Sequence, residues 1–96
     1  MITATGIDGK YLEYQGRPLV RHGNEIYLGD LSDKGYVFMN IMATENKLGV
    51  EVPTMILVQV IDTTTKKLAD KKFQTMANSL SKAFELGIAW LDRYNR

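Results

Sequence analysis

Only one imidazole is available to the 96-residue chain, at His22, and there is no cysteine. If Gly23-Asn24 forms a two-residue hairpin turn, His22 lies opposite Glu25, close enough for an orienting hydrogen bond of the kind that prepares a general base. Catalysis would further need a nucleophile and a cleft. No Gly-x-Ser-x-Gly surrounds Ser32, Ser79 or Ser81, and a cross-strand His-Glu pair is also ordinary sheet stabilisation, worth ~0.2–1 kcal/mol. No catalytic residue is therefore assigned, and the chain reads as a non-enzyme.

Asp30-Leu31-Ser32-Asp33-Lys34-Gly35 gathers oxygen ligands of the kind calcium takes. It lacks the EF-hand spacing and the terminal Glu, Lys34 opposes a cation, and Asp, Ser and Gly are turn formers, so a plain loop is expected. The absence of Cys removes thiolate metal sites and disulfides. Glycines recur, but neither phosphate-cradling pattern occurs. Neither a metal nor a cofactor is predicted. For nucleic acid or an anionic small ligand, the candidate residues are Arg17, Arg21, His22, Lys71 and Lys72, with Tyr11 and Tyr27 as stacking groups. The tyrosines share their expected face with Glu13 and Glu25, and a pI near 7.9 is below the ~9 of a basic binding domain. Binding of this kind is kept as the alternative function, with nucleic acid an unfavoured partner.

The elements that would position these residues are legible from turn signals. Gln15-Gly16, Gly23-Asn24 and Gly29-Asp30 cut the first third into short β-compatible runs, a meander. Two-residue loops fix the register, with Leu12 opposite Leu19 and Leu19 beside Leu28, while Val20 neighbours Tyr27. Gly-Asn suits a type II′ turn, since glycine accepts the positive φ of the first position. Two stronger strands follow, Tyr36 to Ala43 and Thr54 to Asp62, joined by a connection over Thr44 to Pro53. Both are apolar on both faces, so they belong at the sheet's centre. Asn40 and Gln59 fall on one face, so the other, with Val37, Met39, Ile41, Ile56, Val58 and Val60, is the one a helix should cover.

From Leu80 to Tyr94 the apolar residues Ala83, Phe84, Gly87, Ile88 and Leu91 recur at helical spacing, with Leu86 and Trp90 on one shoulder. The apolar arc is wider than the ~100° stripe that one sheet face requires. The same phase extends back to Lys66, but a single helix that long would outgrow the domain, so a break is expected near Asn78-Ser79, where either residue can cap. Residues 66–78 are left open between helix and an additional strand. The expected fold is α+β, a mainly antiparallel sheet of about five strands with a C-terminal amphipathic helix on one face, in one domain over residues 1–96.

The net charge of +1 conceals an uneven distribution: five basic against eight acidic residues up to position 64, then seven against three. Exposed lysines on one element commonly mean no more than a solvated face. The amino terminus lacks a secretory pattern and no apolar run approaches the ~20 residues of a membrane span, so a cytoplasmic location without membrane contact is expected.

Gly16-Arg17-Pro18-Leu19-Val20-Arg21, Gly23-Asn24, Ile26-Tyr27, Gly29-Asp30 and Ser32-Asp33-Lys34, with Ala83-Phe84, Gly87-Ile88 and Trp90-Leu91-Asp92-Arg93, resemble an uncharacterised family of small bacterial proteins of the Firmicute type. The resemblance spans most of the chain except 66–78 and implies a bacterial, cytoplasmic protein. Its motifs are turn and core residues, so it transfers no active site. What remains is a surface: Tyr11, Val20, Tyr27, Tyr36, Phe38, Asn40 and Gln59 on the uncovered sheet face, with Leu86 and Trp90 on the helix shoulder, are the candidate interface of a self-associating or partner-binding module.

Overall fold

Three tight two-residue turns join strands of the sheet. Gln15 and Gly16 (φ 50° and 78°) both take positive φ, as a type I′ turn requires, and they join β1 (Leu12–Tyr14) to β2 (Arg17–His22). At the next turn only Gly23 is positive (φ 62°), the type II′ pattern, and β3 follows as Glu25–Leu28. The third joins two strands of 13 residues, β4 (Gly35–Lys47) and β5 (Val50–Asp62), through Leu48 and Gly49. The computed structural model describes residues 12–30 and 32–95. With β6 (Gln74–Ala77), the strands form one antiparallel sheet in chain order from β1 to β6, followed by α1 (Leu80–Tyr94). The α+β class, an antiparallel sheet with one C-terminal helix packed on it, is as the sequence predicts.

The register across the meander is also the expected one: Leu12 opposes Leu19, Leu19 opposes Leu28, and Val20 opposes Tyr27. It aligns rows across the sheet. Leu19, Leu28, Val37 and Val60 form one, and Ile26, Met39 and Val58 another, on the face that α1 covers. Leu28, Val37, Met39, Ile56, Val58 and Val60 are wholly buried there, together with Ala83 and Leu91 of the helix. The small residues of α1 make this seat possible, because a Cβ on Gly87 would lie 3.1 Å from Val37 Cγ1.

Segment 66–78 takes the strand alternative rather than the helix. Leu68 bridges to Ile61, Asp70 caps a single 3-10 turn over Lys71–Phe73, and β6 pairs with β5 from Ile56 to Gln59, a sixth strand beyond the five expected. Its period is that of a strand whose inward residues are buried: Phe73 and Ala77 go inside, while Gln74 and Met76 stay out. Ser79 then caps α1, its hydroxyl accepting the Lys82 N–H at 3.2 Å. Phe73 also explains the wide apolar arc of the helix. Its ring meets the edges of Trp90 and Tyr94 at centroid distances of 5.8 and 5.7 Å.

The second departure is the Thr44 to Pro53 connection, which is not a loop but a continuation of both strands. Register shifts between Ile41 and Thr44 mark bulges where the ribbon leaves the sheet, and bulges bend and twist a ribbon. Leu48 in place of the usual Asn hid the type I′ turn from sequence reasoning.

The C-terminal end of α1 is tied down at several points. At its C-terminus the Gly35 N–H donates to Asn95 Oδ1 at 2.9 Å, and Tyr94 lies so close to Gly35 that a Cβ there would come 2.6 Å from its ring. The Tyr94 hydroxyl donates to Asp62 Oδ2, whose other oxygen accepts the N–H groups of Thr64 and Thr65 at 2.8 and 3.1 Å. At the opposite edge of the sheet, Arg17 pairs with Asp92.

Gly87→Leu should overpack the helix–sheet seat against Val37 and Met39 and lower unfolding stability by about 1–3 kcal/mol, read as a lowered urea midpoint with an unchanged slope; an unaltered midpoint would mean that α1 is not seated through Gly87. The Tyr94 hydroxyl, then the Thr65 and Thr64 amides, hold the Asp62 carboxyl below the ordinary carboxylate range, and the same hydrogen bond raises the Tyr94 phenol. The Asp62 contribution is complete above the unfolded carboxyl pKa of ~3.9 and is lost as pH falls through its depressed folded value. The Tyr94 contribution is complete below ~10 and lost as pH rises through its raised value. Thermal midpoints of Tyr94→Phe should therefore fall below wild type at neutral pH and converge with it at both extremes; a gap independent of pH would refute the latch.

Candidate functional site

The face of the sheet opposite α1 is built by the alternate residues of the same strands. Register aligns Val20, Tyr27, Phe38, Gln59 and Gln74 in one row across five strands, and His22, Glu25, Asn40, Leu57 and Met76 in the next. Tyr36 and Ile61 begin a third, which continues to Leu68. Aromatic side chains occupy the centre. The Tyr27 ring stands 5.3 Å from Phe38 and 6.3 Å from Tyr36, tilted to both, a favourable arrangement of ring quadrupoles. Tyr27, Tyr36, Phe38, Leu57 and Ile61 are half-buried, and Val20 is buried. Among the described residues no helix or strand packs on this face.

Several of its polar groups bond to one another. The Gln59 amide donates across the strands to Gln74 Oε1, Asn40 donates to Met42 Sδ at 3.4 Å, and the Tyr27 hydroxyl donates to Glu25 Oε1 at 3.2 Å. Burial first, then the charge of Glu25 and that hydrogen bond, push the Tyr27 phenol up; burial alone does so for Tyr36. Both tyrosines are therefore neutral, apolar-bodied groups at ordinary pH.

The predicted candidates are thus dispersed in an informative way. Tyr27, Tyr36, Phe38, Asn40 and Gln59 are brought together on one face, as the strand pattern indicates, whereas Tyr11 lies outside the described residues. Trp90 packs edge-on against Phe73 on the opposite side of the sheet. Leu86, half-buried on α1, lines an open groove of about 410 Å3 with Thr54, Met55, Thr75, Met76, Ala77, Asn78 and Lys82. Sequence reasoning missed this groove because its wall, β6, comes from the segment left unassigned.

The residues of the binding alternative are not assembled. Arg17, Arg21 and His22 are on β2, while Lys71 and Lys72 precede β6, four strand spacings or roughly 19 Å away. Arg17 is engaged by Asp92, and Arg21 donates to the Gly23 carbonyl at 3.0 Å. His22 does lie opposite Glu25, and both are exposed, with Glu25 accepting from Tyr27. Asp30 serves its own loop, accepting the Ser32 N–H and hydroxyl, each at 2.9 Å, and the amide followed by the hydroxyl lowers its pKa. Among the described residues no three His, Asp or Glu side chains converge in a way that could hold a metal ion, and no helix is long and apolar enough to cross a membrane.

Chemically, then, the arrangement among the described residues offers apolar and aromatic area around paired amides. The chain matches no protein-family model, no curated protein and no solved structure.

Proposed function

We propose that the chain is a non-enzymatic, cytoplasmic interaction module that self-associates through the sheet face opposite α1. The observation that carries this reading is the contiguous aromatic and aliphatic cluster of Tyr27, Tyr36, Phe38, Leu57 and Ile61, with no described element packed over it. The exposed methionines Met42, Met55 and Met76 are further apolar surface on the strands that carry it. Aromatic and methionine side chains around a few paired amides, with Glu13 and Glu25 at the margin, have the composition of an interface core. A second copy is the natural occupant, because a twofold axis lying parallel to the sheet, in the plane between two such faces, would set the same apolar cluster on both sides and leave the amides paired within each chain.

The test is molar mass by light scattering behind size exclusion over a wide range of protein concentration. Wild type should be a dimer, and Phe38→Ser should convert it to a folded monomer with an unchanged far-ultraviolet circular dichroism spectrum. A wild-type monomer throughout the range would refute the reading.

A further inference from the structure

Leu48 is the most anomalous side chain in the described structure. It occupies the first central position of the turn between β4 and β5, with φ 54°, followed by Gly49 at φ 84°. Left-handed backbone is costly for a branched aliphatic residue, and turns of this type favour Asn or Asp there. The side chain is also completely exposed, and its neighbour Val50 is exposed as well. Backbone and solvation penalties thus fall on one residue, where Asn would relieve both.

That residue sits at the end of an arm. β3 pairs with β4 only up to Asn40, and β6 with β5 only from Ile56, so residues 42–47 and 50–55 pair with each other alone. At about 3.3 Å per residue the arm projects roughly 20 Å from the sheet. The groove of Met55, Met76 and Leu86 opens where the arm begins, since Thr54 and Met55 belong to both.

We infer that Leu48 is an anchor, and that in the self-associated form the arm tip of each copy seats Leu48 in the Met55, Met76 and Leu86 groove of the other. The inference rests on self-association as proposed above and adds a second point of contact. Two arms laid side by side in opposite directions bring each tip to the base of its neighbour, so a single twofold operation closes both contacts at once. The groove, at about 410 Å3, has room for a leucine side chain and part of Val50, and two methionines on its wall adapt to the shape that enters. Charge agrees: the arm carries Glu45 and Glu51 against Lys47, while the groove's charged residue is Lys82.

Leu48→Asn separates the roles of the residue. As a turn former Asn is the better residue, so the variant should fold with an unchanged or raised thermal midpoint, while the dimer dissociation constant from sedimentation equilibrium rises on the order of tenfold to a hundredfold. Combined with Met76→Ser, the effects should be less than additive, because both remove one contact. An unchanged dissociation constant for Leu48→Asn, with Phe38→Ser still dissolving the dimer, would overturn the anchor and leave the sheet-face interface standing. Strict additivity of the pair would overturn the groove as its seat, and a monomeric wild type would overturn both.

Discussion

A Cβ at Gly87 would stand 3.1 Å from Val37 and 3.4 Å from Met39, so the helix can lie on the sheet as closely as it does only because that position has no side chain. Ala83, one turn earlier, is wholly buried in the same stripe. Close approach lets Leu91 and the central strands exclude water completely, and packing of that density is what a chain of this length, without disulfides, has for stability. The consequence reaches the far side of the sheet. A single 15-residue helix spends its apolar face on one surface, and the strands beneath it are apolar on both. Whatever the chain does with the second surface follows from that imbalance.

Much of this was legible in the sequence, for a physical reason. Two-residue loops leave no freedom of register, so Gly23-Asn24 and Gln15-Gly16 determined which side chains share a face before any tertiary contact was known. Asn40 and Gln59 then marked the face the helix would avoid, because two amides cost more under a helix than beside each other and solvent. Residues 66–78 resisted the same treatment. Leu68, Phe73 and Ala77 fit a helical phase, and the strand wins because β5 has an unpaired edge that only tertiary structure reveals. The β4–β5 turn was hidden differently: Leu48-Gly49 carries half the signature of a type I′ turn, and the missing half is the residue at which the local rule is broken.

The wide apolar arc of α1 illustrates how a surplus in sequence need not become a surplus on the surface. Trp90 lies on the shoulder of the stripe that one sheet face could cover, yet Phe73, delivered by the 3-10 turn, meets it edge-on, as it does Tyr94. That contact closes the helix shoulder and directs attention away from Trp90. Leu86, one turn nearer the N-terminus, has no such aromatic neighbour among the described ring contacts, and there the surface opens into the groove beside β6.

The arm sharpens the distinction between surfaces that are protected and surfaces that are not. A two-stranded ribbon projecting from a sheet offers two unpaired edges, and each is blunted. Pro53 cannot donate to an added strand on the β5 side, and Glu45 and Lys47 place charge along the β4 side. Inside the ribbon, the Thr44 hydroxyl donates to Glu51 at 2.6 Å, and the Gly49 N–H donates to Asn46 Oδ1 at 3.1 Å, so the polar groups near the tip are also provided for. Edge protection of this kind guards against indiscriminate strand addition. It does nothing for Leu48, which is left both strained and bare. The ribbon thus combines two blunted backbone edges with an exposed leucine held in left-handed backbone at its tip.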